Sequence, residues 1–438
     1  MTYAEAVARL LALRGGEHAG MRPGLERIEG LLAALGHPEE RYALVQVGGT
    51  NGKGSIAATL ATILKQAGRR VGLYTSPHLC SFRERVRVNG EAIARDAVVD
   101  GVDALGTLIA RFDATMFEAS TALALDHFAR ESVDVAVLEV GLGGRLDSTT
   151  VGRPVATVLG RIDVDHEAHL GRTLSAIAAE KAAIIRSGQA FSAAQAPEVT
   201  EVILRRAESV GVPLSFEGRD LAVTVSARTL EGQRISCVGP GWRLDDVELP
   251  LLGVFQPANA LLAIATARAL GADEAAIRRG VARVRWPGRF DVVRREPYLV
   301  LDGAHNPAGA RALALSLREV FGDQPVTLVL GLSQDKDARA ILSALVPGAA
   351  RVILTRASNP RAADPAVLVA SLPPEAGVVE TAPSPSEALQ MAMRAPQTPI
   401  VCVAGSLFLI GDVLTLLSEP DKPCSIEKGV DSIGALFP

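Results

Sequence analysis

The chain has 438 residues, of which 48% are hydrophobic and 21% are charged, and it carries a formal net charge of −4 with a sequence pI of about 6.0. This length favours two or three domains, and the composition is that of a globular protein. The slightly acidic balance argues against nucleic acid or an anionic membrane as the main partner.

Residues 1–41 are predicted to form helices that precede the first strand. The segment Met1–Leu13 carries Glu5 and Arg9 in a helical pattern and lacks the basic and then apolar order of a signal peptide, so we expect a cytoplasmic location. The uncharged run Leu249–Ala267 is as long as a membrane span. It contains two prolines, a glutamine and an asparagine, which argue against a membrane helix.

A glycine-rich stretch, VGGTNGKGS at 47–55, lies between a predicted strand at 42–47 and a predicted helix at 56–64. A turn of this kind directs backbone N–H groups and the positive end of the helix to one point, which suits a phosphate group. Lys53 is placed to reach the β- and γ-phosphates, and Ser55 to approach a Mg²⁺ ion.

The spacing differs from the standard GxxxxGK[ST] pattern. Val47 stands where the first glycine belongs, and Gly54 separates the lysine from the serine. An ordinary glycine-rich turn is therefore the alternative, but the flanking strand and helix and the internal lysine favour phosphate binding.

Apolar strands alternate with helices through the first part of the chain, which predicts a doubly wound α/β domain of the phosphate-loop type. Residues 213–250 lose this alternation and predict a small antiparallel insertion. The predicted strands are at 71–75, 133–140 and 155–162, and the predicted helices at 117–129, 173–185 and 257–270.

A proline–glycine joint at 285–289 marks the predicted domain boundary. Beyond it the alternation restarts and predicts a smaller, open α/β sheet of the Rossmann-like kind. We therefore expect a nucleotide-binding domain over 1–286, a second domain over 287–418 that closes on it, and a loose tail over 419–438.

Glu139 ends a predicted buried strand, where a carboxylate is costly unless it is paired or bound to a metal. In a phosphate-loop protein such an acid on a neighbouring strand commonly holds Mg²⁺. An ion pair with Arg145 is the alternative. The glycines at 141–144 leave room for a ligand, so we favour the metal, with Ser76 adding a hydroxyl from the end of another strand.

His166 follows a further apolar strand and should share this edge, because ligands of α/β sheets bind at the carboxyl ends of strands. It is a candidate ligand for a second metal, although a lone histidine is more often a structural hydrogen-bonding residue. Glu180 and Lys181 lie in an apolar helix, and from the residues alone a solvated ion pair is the simpler interpretation.

In the second domain, the run DGAHNP at 302–307 ends a strand and opens a helix. Asp302 is a candidate acceptor for a nucleotide ribose, and His305 lies at the same edge. A helix-capping motif followed by proline is the alternative. Arg289, at the joint, is placed to touch a phosphate from across the cleft, or is an ordinary hinge arginine.

Taken together, these runs resemble the folylpolyglutamate synthase family, including its bifunctional dihydrofolate synthase form. The resemblance extends in order from Gly24 to about Leu417. The matching runs are GTNGKGS at 49–55, YTSPHL at 74–79, EVGLGGRLD at 139–147, DH at 165–166, LG at 170–171, EK at 180–181, GRF at 288–290, DGAHNP at 302–307, DKD at 335–337, NPRA at 359–362 and GSL at 405–407.

The resemblance implies ATP and Mg²⁺ as cofactors. It implies that Lys181 is carbamylated and becomes an anionic metal ligand, and that Lys53, Lys181 and His166 are catalytic. The expected metal ligands are Ser76, Glu139, His166 and Lys181. The expected ATP contacts are Gly52, Lys53, Gly54, Ser55, Asn259, Arg289, Asp302 and His305.

The resemblance also implies a pterin-binding region made from three separate segments. Its expected residues are Gly24, Leu25, Glu26, Arg27, Thr115, Met116, Phe117, Glu118, Leu146, Asp147 and Ser148. The family pattern usually has Ala and Asn where this chain has Ser148 and Thr150, and Gly where it has Ala183. These departures leave the preference between dihydropteroate and folate open.

The implied reaction adds L-glutamate to a folate, or to dihydropteroate, through an acyl phosphate, and we expect a monomer. The nearest alternative is a Mur-type peptidoglycan ligase, which usually has an additional N-terminal uridine-nucleotide domain, whereas only about forty residues precede the phosphate loop here. A nucleotide-dependent switch without ligase activity is a second alternative, against which the second α/β domain argues.

Overall fold

The computed structural model describes residues 1–13, 22, 24–394 and 398–418, so the predicted tail at 419–438 lies outside the described residues. The helices are α1 Tyr3–Leu11, α2 Glu26–Ala34, α3 Lys53–Gln66, α4 Arg95–Phe112, α5 Met116–Arg130, α6 Glu167–Leu170, α7 Leu174–Ala182, α8 Pro197–Ser209, α9 Gln256–Ala269, α10 Glu274–Arg283, α11 Pro307–Phe321, α12 Ala338–Leu345, α13 Pro365–Val369, α14 Pro385–Met393 and α15 Leu407–Leu417.

The strands follow the same chain order. They are β1 Ala43–Gly48, β2 Val71–Tyr74, β3 Val86–Val88, β4 Glu91–Ala92, β5 Val135–Glu139, β6 Pro154–Leu159, β7 Gln189–Ser192, β8 Leu214–Phe216, β9 Ala222–Thr229, β10 Gly232–Gly239, β11 Trp242–Leu249, β12 Asp291–Arg295, β13 Tyr298–Asp302, β14 Val326–Leu330, β15 Ala349–Leu354, β16 Val378–Thr381 and β17 Ile400–Ala404.

The first sheet has eight strands in the order β4-β3-β2-β5-β1-β6-β7-β8. The six strands β2, β5, β1, β6, β7 and β8 run parallel to one another, and β3 and β4 add an antiparallel hairpin at the edge next to β2. The central strand β1 is apolar because helices cover both faces of the sheet: Val45 and Val47 face the core that contains α3, whereas Leu44 faces the core that contains α2 and α5. The predicted doubly wound domain is confirmed.

The predicted antiparallel insertion is also confirmed, with one change. Strands β9, β10 and β11 form a separate three-stranded sheet in the order β11-β10-β9, and its apolar face packs on α9 and α10. The first strand in the predicted range, β8, instead pairs with β7 in the main sheet.

The second sheet has six strands in the order β12-β13-β17-β14-β15-β16, of which β12 is antiparallel to its neighbour and the others are parallel. One face packs on α11 and α12 and the other on α14 and α15, so the predicted smaller open α/β sheet is confirmed. The joint predicted at 285–289 lies within the segment 284–290, which connects α10 to β12.

No helix within the described ranges has the length and apolar character needed to cross a bilayer. The uncharged run Leu249–Ala267 is divided between the end of β11, a loop and helix α9.

Candidate active site

Four loops meet at the carboxyl edge of the first sheet. Val47 of β1 is in register with Glu139 of β5, and Gly48 is in register with Leu159 of β6. The strand ends are held at this level by a hydrogen bond from the Gly160 N–H to the Gly48 carbonyl, at 2.9 Å. The loops that follow β1, β2, β5 and β6 therefore open at one place, as the sequence predicts.

The loop after β1 turns tightly because two of its glycines adopt left-handed conformations, with φ of 131° at Gly49 and 87° at Gly52. A Cβ at Gly52 would lie 2.4 Å from Oδ1 of Asn259, so this position also demands the absence of a side chain. Helix α3 begins at the next residue, Lys53, which points the first free N–H groups of the helix at the loop.

Lys53 lies over its own loop. Its Nζ donates to the carbonyls of Gly49 and Thr50, at 3.2 and 3.1 Å. Burial lowers the pKa of Lys53, while the Glu139 carboxylate acts in the opposite direction. An ammonium group held here by carbonyls alone lacks a full counter-charge, and an anionic group such as a phosphate would supply it.

Asn259 is connected to the start of α3 through Gln256. The Gln256 side chain donates from Nε2 to the Ser55 hydroxyl at 3.2 Å and accepts from Asn259 Nδ2 at 3.2 Å. Gln256 is 1% exposed, so this short chain of hydrogen bonds is a fixed part of the site. It brings two of the predicted nucleotide residues, Ser55 and Asn259, together across 204 residues of sequence.

Glu139 is 6% exposed, and its Oε2 accepts the Ser76 N–H at 3.2 Å. Burial raises the pKa of the carboxyl, and Lys53 and Arg289 oppose that effect. The alternative ion pair with Arg145 is wrong, because Arg145 donates to Glu180 at 2.9 and 3.0 Å. The oxygens of a buried carboxylate are hard ligands, which fit Mg²⁺.

Lys181 is 4% exposed, and its Nζ donates to the Gly49 carbonyl at 3.1 Å. The simpler interpretation, a solvated pair with Glu180, is therefore wrong. Burial, reinforced by Lys53, lowers the pKa of Lys181 to about 7. A large share of this amine is uncharged at neutral pH, and an uncharged amine is the form that reacts with CO₂.

A polar cluster joins the two sheets beyond β6. Asp165 accepts from Nζ of Lys336 at 2.6 Å and from Nδ2 of Asn306 at 3.0 Å. Nε2 of His305 lies 3.7 Å from the same carboxylate, and Nε2 of His166 lies 3.9 Å from it. His166 and His305 thus come from different sheets and meet around one acid.

The two histidines of this cluster are neutral at physiological pH. Burial, opposed by Asp165, lowers the pKa of His166 to about 3. Burial, reinforced by Lys336, lowers the pKa of His305 to about 4. Burial disfavours the ionised form of Asp165, but His166, Lys336 and His305 together hold its pKa below the usual value. A neutral imidazole has the free lone pair that a metal ligand needs.

Asp302 ends β13 and is 3% exposed. Its two oxygens accept the N–H groups of Phe290 and Ala304 at 2.7 and 2.8 Å, and burial raises its pKa to about 6. The capping alternative for this run describes a different residue: Asn306, and not Asp302, caps α11, with Pro307 as the first helical residue. Arg289 is within electrostatic range of both Asp302 and Glu139.

The residues expected around the pterin come from the start of α2, the start of α5 and the loop after β5. Arg27 donates to both oxygens of Glu118 at 2.9 and 3.1 Å, and Thr115 caps α5 and bonds the same carboxylate. Phe117 stacks near Tyr74, with ring centroids 6.1 Å apart. The start of α2 and the start of α5 thus lie together, and these polar side chains bond to one another.

Several of these side chains are held within the protein. Met116 is 1% exposed and belongs to the core around α5. Asp147 accepts four hydrogen bonds from its own loop, from the N–H groups of Gly141, Leu142 and Thr149 and from the Thr149 hydroxyl. Gly24 and Leu25 lead into α2, and Glu26 is its first residue. Leu146 is half-buried, and the Ser148 hydroxyl lies 3.3 Å from that of Thr121.

Sequence reasoning assigned no role to Asn51, Gln256, Asn306 and Lys336, which the structure places in the site. Asn51, Asn306 and Lys336 stand inside runs that carry the family resemblance, which is a signal that they lie near the site. Nothing in the local pattern around Gln256 distinguishes it from an ordinary residue in the first turn of a helix.

Comparisons with known proteins agree with this geometry. The Mur ligase middle domain family matches residues 47–267, and the Mur ligase glutamate ligase domain family matches residues 288–407. The folylpolyglutamate synthase of Lacticaseibacillus casei is 35% identical over 438 residues, which cover 94% of this chain and 98% of that protein.

Two further similarities bear on the length and the fold. A probable bifunctional folylpolyglutamate synthase/dihydropteroate synthase of Haloferax volcanii is 39% identical over 97% of this chain, but the chain spans only about half of that protein, 51%. The Mycobacterium tuberculosis folylpolyglutamate synthase, solved in complex with ADP and AMPPCP, superposes with a TM-score of 0.88 at 33% identity, covering 96% of this chain and 100% of that chain.

Proposed function

The chain belongs to the Mur ligase family and within it to the folylpolyglutamate synthases, and from this we propose that it is an ATP- and Mg²⁺-dependent ligase that adds L-glutamate to folates. The observation that carries the proposal is the meeting of Lys53, Glu139 and His166 at one sheet edge, opposite Asp302 of the second sheet and Arg289 of the segment before it. The first sheet edge supplies side chains suited to binding phosphate and metal. The second sheet and the segment before it supply side chains suited to binding the rest of a nucleotide.

The nucleotide residues in this proposal are Gly52, Lys53, Gly54, Ser55, Asn259, Arg289, Asp302 and His305. Lys53 releases the carbonyls of its own loop and pairs with the β- and γ-phosphates, and the free N–H groups at the start of α3 donate to them. Asp302 is already bonded to two backbone N–H groups, so its remaining lone pairs are the ones available to a ribose.

The metal residues in this proposal are Ser76, Glu139 and His166, with carbamylated Lys181 as a further anionic ligand. Mg²⁺ bound there would neutralise negative charge on the phosphoryl group in transfer. The buried Lys181 amine, at 3.1 Å from the Gly49 carbonyl, supports carbamylation because its surroundings favour the uncharged amine.

The reaction then proceeds in two steps. An oxygen of the substrate carboxylate attacks the γ-phosphorus, the bond to the β-phosphate oxygen breaks, and ADP leaves an acyl phosphate behind. The uncharged amine of L-glutamate next attacks the acyl carbon, an amide forms as the nitrogen loses a proton to solvent, and inorganic phosphate departs with the former carboxylate oxygen. In the first step Lys53 neutralises negative charge at the phosphoryl group, and Lys181 and His166 would contribute by holding the metal.

The pterin region in this proposal is formed by residues 24–27, 115–118 and 146–148. Arg27 and Glu118 position each other, and Asp147 is positioned by its own loop, so their role is to shape the region. Ser148 and Thr150, where the family usually has Ala and Asn, leave folate and dihydropteroate both as acceptors to be tested. A cytoplasmic location and a monomeric state belong to the same proposal.

The test is ADP release by the purified protein with MgATP, L-glutamate and one acceptor at a time. We expect release with a tetrahydrofolate or with dihydropteroate, and only when glutamate is present. Release with a muropeptide precursor alone would support a peptidoglycan ligase instead. Slow release that does not depend on glutamate would support a nucleotide switch.

A further inference from the structure

The carboxamide of Asn306 connects the two sheets. This residue follows β13 of the second sheet and is 1% exposed. Its Nδ2 donates to Oδ1 of Asn51, in the phosphate loop, at 3.0 Å and to Oδ2 of Asp165, in the loop after β6, at 3.0 Å. Its Oδ1 accepts from Nδ2 of Asn51 at 3.3 Å and from the Gly309 N–H at 2.8 Å.

These contacts use all the hydrogen-bonding capacity that an amide side chain has, two donors and two acceptor sites. The orientation of the amide is determined as well, because the Gly309 N–H requires the oxygen and the Asp165 carboxylate requires the nitrogen. An aspartate or a serine at this position could still cap α11, but neither could donate to Asn51 and Asp165 together.

The neighbours of Asn306 give these bonds a specific consequence. Asn51 lies two residues before Lys53, and Asp302 and His305 stand just before Asn306. Lys336 adds a second bond between the sheets, from the loop after β14 to Asp165 at 2.6 Å. The Asn306 side chain therefore joins the phosphate side of the proposed nucleotide site to its ribose side, and Lys336 adds to the connection between the sheets.

We propose that Asn306 is a positioning residue that couples the conformation of the phosphate loop to the placement of the second sheet and so aligns the two halves of the nucleotide site. The inference rests on the proposed function only in that a nucleotide occupies both halves. The approach of the two sheets can be measured without any ligand, so the two proposals can fail separately.

The test compares the full-length protein with Asn306→Asp, Asn306→Ser and Asn51→Ala, and with the double variant Asn51→Ala/Asn306→Ser. Ser384→Ala is the matched control, because Ser384 also caps a helix of the second sheet, α14, and its side chain forms hydrogen bonds with Glu387 of that helix. Two quantities are measured: the radius of gyration by small-angle X-ray scattering without nucleotide, and the dissociation constant of Mg²⁺–AMPPCP by calorimetry.

We expect Asn306→Ser to bind Mg²⁺–AMPPCP about tenfold more weakly than the wild type, since bonds to Asn51 and Asp165 are lost. Asn306→Asp should bind still more weakly, although it preserves the size and the helix cap, because it places a second carboxylate against Asp165. The double variant should be no weaker than the worse single variant, since both changes break the same contact. Both Asn306 variants should have a larger radius of gyration, and the control should match the wild type.

Binding by Asn306→Asp within twofold of the wild type, or effects of the two single variants that multiply in the double variant, would overturn the inference. If the wild type does not bind Mg²⁺–AMPPCP, the proposed function fails. The coupling is then decided by scattering alone, where an unchanged radius of gyration in both Asn306 variants overturns it and an increase in both supports it.

Discussion

Glu139 ends β5 with 6% of its side chain exposed, and burial raises the pKa of its carboxyl. A raised pKa means that the ionised form is less favourable in the folded chain than in the unfolded chain, so the native state loses stability as the pH rises through the carboxyl titration. Such a cost is typical of a residue retained for function.

The first prediction concerns this residue. Glu139→Gln should raise the free energy of unfolding in metal-free buffer near pH 8 by roughly 0.5–2 kcal/mol, because it removes a buried charge and preserves the shape. The same variant should lose Mg²⁺-dependent ligation. Urea denaturation measures the first effect and ADP release the second; a variant that is less stable, or that retains ligation, would contradict the metal-site assignment.

The second prediction concerns Lys53, the residue that we propose to bind the phosphates. Lys53→Ala should lower turnover by about 10³-fold, because a preorganised charge at the transferring group is lost. Lys65→Ala, in the exposed last turn of the same helix, is the control and should leave turnover unchanged. Steady-state kinetics and circular dichroism measure both; near-normal ligation by a folded Lys53→Ala protein would remove the phosphate-loop assignment.

His305 gives a prediction about pH. Its pKa in the folded chain is lowered to about 4, whereas an unfolded histidine titrates near 6.5, so the unfolded state takes up the proton first. The contribution of neutral His305 to the free energy of unfolding should therefore be complete above about pH 7 and should decline as the pH falls. Between about pH 7.5 and about pH 5.5 this group should cost about 1 kcal/mol, allowing for partial exposure of the ring.

The measurement is urea denaturation of the wild type and of His305→Gln at both pH values. Between these pH values the free energy of unfolding should fall by about 1 kcal/mol less in His305→Gln than in the wild type, because glutamine does not titrate. His169→Gln is the control, since His169 is exposed. Equal declines in the wild type and His305→Gln would show that His305 is not buried in its neutral form.

At the scale of elements, helix α3 is held from two sides. Its first residue directly follows the phosphate loop, and its far end packs against α10. The contact with α10 is close because Gly280 has no side chain, and a Cβ there would lie 2.4 Å from the Cα of Ile63. The orientation of α3, and with it the phosphate loop, thus depends on a glycine far from the site.

Gly280→Ala should destabilise the protein by about 1–3 kcal/mol, because the new methyl group meets backbone that cannot move away without shifting α3. Gly348→Ala is the matched control, since no atom lies within 4 Å of a Cβ built there and its φ is not positive. Thermal unfolding measures both; a loss in Gly280→Ala no larger than in the control would show that the two helices are free to separate.

Elements with strong local patterns could be predicted from the sequence. Strand β5 lies inside the apolar run predicted at 133–140, and α5 covers the helix predicted at 117–129. Other elements depend on what packs against them. Strand β12, DVVRR, carries charges because it is an edge strand, and the short β8 is a strand only through its pairing with β7.

At the scale of the whole molecule, the sequence predicts which loops share a sheet edge but not how the two sheets meet. Asp165 and Lys336 are separated by 171 positions, and Asn51 and Asn306 by 255. In the sequence each of these four residues looks like an ordinary polar residue of a loop. No local pattern shows which distant side chain will form a hydrogen bond with it. Lys181 shows the same limit, since its burial against Gly49 is decided by the packing of α7.

The central claim is that a carboxylate is activated by phosphorylation in the cleft between the two sheets and is then joined to glutamate. The most direct test supplies a folate labelled with ¹⁸O in its terminal carboxylate, together with MgATP and L-glutamate, and measures the released phosphate by mass spectrometry. The account predicts that each phosphate carries one ¹⁸O and that it appears with the amide product. Unlabelled phosphate would show that water, and not the carboxylate, attacks the nucleotide, and would contradict the account.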